Sequence, residues 1–437
     1  MKVLLYCQYP HHKKGANTTV DHIDSFKNYS NYEVVRWSKL NSLPSEEFLS
    51  KFDCLVIHHS ISLIFEWYAS KETLLKIRNF KGIKALFIQD EYRRINFVCA
   101  KINFIGIDIL FTCAPSNVAR EIYSDLNSRV KIETVLTGYI PENLINVDTP
   151  NLSDRRIDIG YRARKCPFWY GYKSAEKFLI GEHFIHYSHG TKLLNDISWR
   201  EKDRLYGQDW IKFISNCKAT LGTESGASII DFTGKIEYEL NRFQAFHPLA
   251  KFEDVPPVLL QNDGKLQIQV ISPRCFEAAA LKTVMVLYPG TYSDILIKDK
   301  HYIELKKDFS NFNQVHEKLK DIDFLNKISL QAKKDLVDSG KYTYAKFIEK
   351  FEDLIEQTQK EKKYEIKSYS LNDKELKEIK DIETNSLKIG QFKKFTSKLR
   401  NIWKFLPGWL NFILSVTVLR RKYYCHFDKT KYSYLNS

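Results

Sequence analysis

The chain has 437 residues, too many for one hydrophobic core and enough for two domains of about 150–200 residues with an extension. At 43% hydrophobic and 27% charged, with only 17 Gly and 12 Pro, it is a folded chain and neither disordered nor linker-dominated. The net charge is +14, yet eleven basic residues and one acid fall between 388 and 431, so ten of those charges sit in the last fifty residues. A nearly neutral body excludes nucleic acid gripped across a whole basic face, and no nucleic-acid partner is expected.

The opening run MKVLLYCQYP is too short for a secretory h-region and no small-residue cleavage site follows it, which predicts no secretion signal. Eight scattered cysteines without a C-x-x-C pair fit a reduced, cytoplasmic protein. Residues 1–150 alternate short apolar runs with amphipathic stretches. Val3–Tyr6, Cys54–His58, Ala85–Gln89, Ile109–Cys113 and Ile132–Leu136 predict strands buried on both faces, with helices at Thr19–Tyr29 and Lys71–Asn79 between them. This is the pattern of a parallel, Rossmann-like sheet with crossover helices.

A second α/β series, residues 151–358, predicts strands at Ile157–Tyr161, Phe184–His186, Ala219–Gly222, Val284–Leu287 and Tyr302–Leu305. Helices are expected at Tyr206–Asn216, Arg274–Leu281 and Phe312–Leu336, the last continuing to Gln357 past a break at Ser339–Gly340; residues 239–268 read as an irregular insertion. Two such sheets place ligand chemistry in the cleft between them, at the carboxyl ends of the strands. Residues 359–437 form a third region. Lys360–Lys380 reads as a charged helical spacer, and the run Ile402–Leu419 carries Trp403, Trp409, Pro407 and Lys404. Basic-aromatic patterning of that kind suits an in-plane anchor on an anionic membrane surface through residues 388–431, with a packed helix pair and a true span as alternatives.

The segment Ser272–Tyr292, SPRCFEAAALKTVMVLYPGTY, begins at a helix N-terminus with Ser272 as cap and Pro273 in the first position. Its free N–H groups and positive dipole end seat a diphosphate, and Arg274 adds a fork matched to phosphate oxygens. Glu277, three residues on, is placed to accept hydrogen bonds from a ribose diol; a plain capped helix with a surface glutamate has the same pattern.

Pro-Arg-x-Phe-Glu-Ala-x-Ala, then HYIEL, DFSN and YTYAKFIEKF, resembles the carboxyl-terminal domain of group 1 glycosyltransferases, in particular their bacterial CgeB-like branch. The likeness covers residues 272–352 and extends upstream through IGYRAR, DRLYGQDW, LGTESGASIIDFTG, VIHHS, FIQDEYRRIN and GANTTVDHI. It implies the GT-B fold: two Rossmann-like domains, with a nucleotide-sugar donor held by the second and the acceptor by the first. It also implies that Glu277 binds the donor ribose with Arg274 beside it. Gln269 stands where the family has a second glutamate, and Glu224, after a strand in GTESGAS, is an alternative acid. Ser225, Gly226 and Tyr292 are expected at the same donor site.

Glycosyl transfer leaves negative charge on the departing diphosphate, and Arg162, Arg164 and Lys165, following the first strand of the second series, are placed to stabilise it unless they form a solvated basic loop. No metal or other cofactor is expected. On the acceptor side His58 and His59 end one strand and Asp90 and Glu91 the next, with His22 on the first helix; His58 or Asp90 is the expected proton acceptor in an inverting reaction. His183, His186 and His189 have a spacing suited to neither a helical nor a Cys-bearing zinc site. P-loop, nucleophile-elbow and G-x-G-x-x-G motifs are absent from the sequence, which excludes kinase, hydrolase and dinucleotide-oxidoreductase readings built on them. The sequence therefore predicts transfer of a sugar to a lipid-linked or cell-surface glycan of the O-antigen, lipopolysaccharide or capsule type, at the cytoplasmic membrane face. The alternative is a catalytically silent GT-B scaffold or glycan-binding module of a polysaccharide assembly complex.

Overall fold

The computed structural model describes residues 1–10, 17–367 and 369–386. The first half runs β1 (Lys2–Tyr6), α1 (Asn17–Tyr29), β2 (Glu33–Trp37), α2 (Glu46–Leu49), β3 (Cys54–Ile57), α3 (Lys71–Asn79), β4 (Ile83–Ile88), α4 (Ile95–Ile105), β5 (Ile109–Thr112), α5 (Ser116–Ile122), β6 (Lys131–Thr134) and α6 (Glu142–Ile145). Its strands form one sheet, all parallel, in the order β2-β1-β3-β4-β5-β6. β1, β3 and β5 are buried along their whole length because helices cover both faces, and that double burial selects the unbroken apolar runs seen in the sequence.

The second half continues with β7 (Ile157–Arg162), α7 (Tyr172–Tyr187), β8 (Asn195–Ser198), α8 (Gly207–Ser215), β9 (Cys217–Gly222), β10 (Ser225–Ala227), α9 (Lys235–Phe246), β11 (Ile268–Val270), α10 (Pro273–Ala280), β12 (Val284–Leu287), β13 (Tyr302–Glu304), α11 (Phe312–Lys320), α12 (Ile322–Lys333), α13 (Tyr344–Glu361) and α14 (Asp373–Ser386). Here the parallel order is β13-β12-β9-β7-β8, with β10 and β11 paired antiparallel apart from it. Each sheet reverses its winding direction beside its first strand, between β1 and β3 and between β7 and β9. Open α/β sheets bind ligands outside the carboxyl ends at such a point.

Several expectations are corrected. Phe184–His186 is not a strand but the end of α7, where Ile180 and Phe184, four residues apart, are both fully buried on one helical face. The expected helix over Phe312–Leu336 breaks at Asp321, whose Oδ1 accepts from Phe324 N at 2.9 Å and starts α12 afresh. Residues 239–268 are partly regular, since α9 occupies their start. They join the first half: Leu240, Val255 and Ile268, with Phe168–Tyr170, share a hydrophobic cluster with the helices and strands of the first sheet. Arg93 donates to both oxygens of the buried Glu237, at 2.5 and 3.1 Å, and fixes that docking.

α13 also crosses back. Its Phe347, Ile348 and Phe351 pack with Val3, Phe26 and Phe87 of the first half. The stretch after it is not a free helical spacer. Lys367 N donates to Asp53 Oδ1 at 3.0 Å and Lys2 Nζ to Tyr369 O at 2.7 Å, and α14 then reaches β2 through an Arg36–Glu383 pair at 3.5 Å. Among the described residues no helix is long and apolar enough to cross a membrane, and the basic-aromatic segment 388–431 lies outside them.

Candidate functional site

A cleft of about 320 Å³ opens at the winding reversal of the second sheet. Its floor is apolar, formed by Leu221, Met285 and Leu287 from the ends of β9 and β12. Arg162, Arg164, Ser225, Ser272, Arg274 and Glu277, all expected at the site, line it together. Asn17 and Thr18 close it from α1 of the first half. The approach of the two halves here depends on Gly138: a Cβ on it would lie 3.0 Å from Pro273 Cγ.

The amino terminus of α10 faces this cleft. Ser272 caps it without a side-chain hydrogen bond, so its hydroxyl is uncommitted, while Cys275 N donates to Ser272 O at 2.9 Å. Arg274 donates through Nη1 to Arg162 O, and its guanidinium lies 4.8 Å from the centre of the Trp210 ring. Arg164 Nη2 donates to Tyr170 Oη at 3.5 Å. Lys177, which the sequence reading missed, projects from α7 into the same space, and its Nζ has no hydrogen-bond or ion-pair partner among the described residues. Burial pushes the Lys177 ammonium below its usual range, and Arg164 and Arg274 push the same way. Three cations beside a helix N-terminus match a diphosphate in charge and in hydrogen-bond donors.

Glu277 is the one carboxylate lining the cleft among the described residues. Trp210 Nε1 donates to its Oε2 at 2.7 Å, which leaves Oε1 for a ligand diol. Burial raises the Glu277 carboxyl above the ordinary range, against the indole hydrogen bond and Arg274. Asp21, one helical turn beyond Thr18 on α1, is pushed up to about 7 by burial and by the charges of Glu277 and Asp24. Trp210 belongs to the DRLYGQDW motif and Asp21 to GANTTVDHI, whereas Lys177 carries no local signal.

Other expected residues are placed elsewhere. Arg162 lines the cleft, but Nη2 pairs with Asp196 at 2.8 Å and Nη1 donates to Asp196 O at 2.8 Å, so its guanidinium is committed to β8. Glu224 does not reach the cleft. It is 3% exposed, with Oε1 accepting from Thr291 N, Thr291 Oγ1 and Tyr292 N at 2.9–3.1 Å and Oε2 pairing with Lys173 at 3.2 Å. Tyr292 is a core residue that donates to Tyr288 O at 2.6 Å. Gly226 holds φ +117° in β10, where a Cβ would lie 2.0 Å from Ile268 O, so its role is strand pairing. Lys165 lies over the Phe178 ring at 4.2 Å.

The winding reversal of the first sheet holds the acceptor-side candidates. Ser60 N donates to His58 Nδ1 at 3.0 Å. A backbone N–H only donates, so the neutral His58 ring carries its proton on Nε2 and donates it to His22 Nδ1, 3.0 Å away. Burial, followed by repulsion from His59, holds both rings well below the usual histidine range, and His59 is lowered to about 4. His58 is therefore corrected from proton acceptor to a buried donor that orients His22. His22, His58 and His59 form the one group within metal-ligand reach among the described residues, but the lone pairs of the His58–His22 contact are already used. His183, His186 and His189 belong to no such group. Asp90 is exposed after β4, and its Oδ1 accepts from Tyr92 Oη at 2.7 Å. Glu91 is corrected from acceptor contact to core: it is 1% exposed and accepts from Thr112 Oγ1, Cys113 N and Tyr123 Oη.

No protein-family model and no curated protein matches the chain in sequence. Solved structures do match in shape. A DNA-modifying beta-glucosyltransferase, solved with and without uridine diphosphoglucose, aligns over 82% of this chain and 100% of its own at 12% identity and a TM-score of 0.50. An alpha-glucosyltransferase in complex with UDP-glucose and DNA aligns over 82% and 99% at 10% identity and a TM-score of 0.49. HepE of Anabaena in complex with UDP aligns over 82% and 100% at 9% identity and a TM-score of 0.47. With two facing Rossmann-like sheets, a crossing helix α13 and the first of these likenesses, this chain has the GT-B fold.

Proposed function

We propose that the chain is a glycosyltransferase that passes a sugar from a nucleotide-sugar donor to a glycan or glycolipid acceptor at an anionic membrane surface. The observation that carries this reading is the convergence of Arg164, Lys177 and Arg274 with the α10 amino terminus and Glu277 in one cleft. The cations and free N–H groups take the diphosphate and stabilise its departure, and Glu277 Oε1 accepts from the ribose diol. Asn17 and Thr18 bring the first half against the donor, so the acceptor enters between the sheets, near His22 and Asp90. The membrane and glycolipid part rests on the composition of residues 388–431.

One observation favours the catalytically silent reading: Glu277 is the one carboxylate in the cleft among the described residues, and Gln269 lies in β11 bonded to Gln267. One experiment separates the two. Purified protein is screened by thermal shift against UDP, GDP, CDP and dTDP and their sugars, and the hits are assayed for diphosphate release with and without glycolipid acceptor. Binding with release supports the transferase, binding without release the silent module, and no binding to any of them overturns the donor site.

A further inference from the structure

A second, wider cavity of about 940 Å³ lies at the opposite, amino-terminal end of the first sheet. The ends of α3 and α4, the turns leading into β4, β5 and β6, and the end of α13 enclose it. Arg78, Lys81, Lys84, Arg129, Lys131 and Lys362 line it, against two carboxylates, Asp108 and Glu361. Both carboxylates are already engaged: Lys131 pairs with Glu361 at 2.7 Å and Lys362 with Asp108 at 2.8 Å. Lys84 Nζ is held by Ile105 O at 2.8 Å and Arg78 O at 3.3 Å, carbonyls near the ends of two helices. Lys81 and Arg129 are exposed and have no ion-pair partner among the described residues.

Two of these cations, Lys84 and Arg129, meet at Gly106. It closes α4 in the left-handed conformation, φ +67°, and a Cβ there would lie 3.3 Å from Lys84 Nζ and 3.7 Å from Arg129 Nη2. Burial lowers the Lys84 ammonium to about 8, and Lys362, Arg129 and Lys81 push the same way against Asp108. The protein has thus assembled more positive charge than it neutralises, around backbone that leaves the approach open.

We propose that this cavity binds the phosphate group of an anionic ligand, with Arg129 and Lys81 as its outer contacts and Lys84 at its base. Guanidinium and ammonium groups around a concave surface match phosphate in charge and donor geometry. The group comes from a lipid headgroup or from a soluble phosphate. The basic composition of residues 388–431 in the same chain, suited to an anionic membrane surface, favours the lipid. The site is independent of the donor cleft, so it stands or falls apart from the proposed activity.

The test uses the full chain and the double variant Lys81→Glu with Arg129→Glu, checked for folding by circular dichroism. Lys81→Gln with Arg129→Gln serves if the reversal does not fold. Wild type and variant are sedimented with phosphatidylcholine vesicles containing phosphatidylglycerol and, separately, scanned by thermal shift with inorganic phosphate. The variant is expected to lose at least about 30-fold in vesicle affinity, from roughly fivefold for each of the two cations removed. Such a loss assigns the lipid source. Unchanged vesicle binding with a lost phosphate-induced shift assigns a soluble phosphate. Unchanged behaviour in both overturns the proposal.

Discussion

Trp210 Nε1 donates a hydrogen bond to Glu277 Oε2 at 2.7 Å, and the same indole lies beneath the Arg274 guanidinium at 4.8 Å. One aromatic side chain from α8 thus fixes both the carboxylate and the cation that α10 presents to the cleft. Neither α10 residue then has to be ordered when ligand arrives, which lowers the cost of binding.

Replacing Glu277 by Ala is expected to weaken nucleoside-diphosphate binding by about 10- to 100-fold, the loss of charge-assisted hydrogen bonds. Trp210→Phe removes the N–H that orients the carboxylate and shrinks the ring beneath Arg274, and a smaller loss of about fivefold is expected. Because burial raises the Glu277 carboxyl, affinity should also fall as pH drops through that raised value, and this dependence should vanish in Glu277→Ala. Isothermal titration with the diphosphate giving the largest thermal shift measures all three. Wild-type affinity in Glu277→Ala would remove this residue from the donor site.

Lys177 gives a prediction of opposite signs. Without ligand, a half-buried ammonium among Arg164 and Arg274 costs stability, so Lys177→Met should melt at the same temperature as wild type or higher. With ligand, a phosphate-binding charge is gone. Wild type should gain about 2.7 kcal/mol at a hundredfold excess over Kd, and the variant should gain far less at the same concentration. A variant that melts lower without ligand and shifts normally with it would mark Lys177 as structural.

Asp21 ties pH to the contact between α1 and α10. Its carboxyl rises from 3.8 to about 7 on folding, so the folded state holds a proton that the unfolded state releases. The contribution is fully present below about 3.8 and is lost as pH rises through about 7. Unfolding free energy, followed by urea denaturation between these limits, should fall with rising pH in wild type and run flatter in Asp21→Asn. Parallel slopes in the two proteins would refute the assignment.

What the sequence discloses follows from burial. β1, β3, β4, β5, β9 and β12 are interior strands, and each shows as an apolar run. β2 and β8 are edge strands with polar, half-exposed residues such as Glu33 and Asn195, and no apolar run marks them. The run Ile132–Leu136 does mark β6, but as an edge strand it is not buried on both faces as expected: Ile132 is exposed. Phe184 reads as strand because four-residue helical spacing with Ile180 is hidden among neighbouring aromatics. At the site, Ser272, Arg274 and Glu277 are legible because a helix terminus orders them locally. Lys177's place in the cleft, the Asp21–Glu277 approach and the His58–His22 contact are set by which elements meet in space, and an isolated residue type carries no such information. Glu224 and Glu91 mislead for the same reason: an acid after a strand looks alike whether it faces the cleft or the core.

Glu224 supplies the sharpest contrast between bracing and catalysis. Its Oε1 gathers three donors from Thr291 and Tyr292, and its side chain fills the space beside Gly290, where a Cβ would lie 2.7 Å from the carboxyl carbon. Lys173 holds the other oxygen at 3.2 Å, and both partners are nearly fully buried. Glu224→Ala frees the 290–292 turn and leaves Lys173 with Glu176 alone, at 3.4 Å, and a loss of about 1–3 kcal/mol in unfolding free energy is expected from the unpaired turn donors. The double variant Glu224→Ala with Lys173→Met leaves Glu176 to Lys307, at 2.5 Å, and should show how strongly the two changes couple rather than add. Diphosphate affinity at a temperature where the double variant is folded should match wild type, because neither side chain touches the cleft's phosphate-binding groups. A stable Glu224→Ala protein that binds donor normally but releases no diphosphate would return this residue to catalysis.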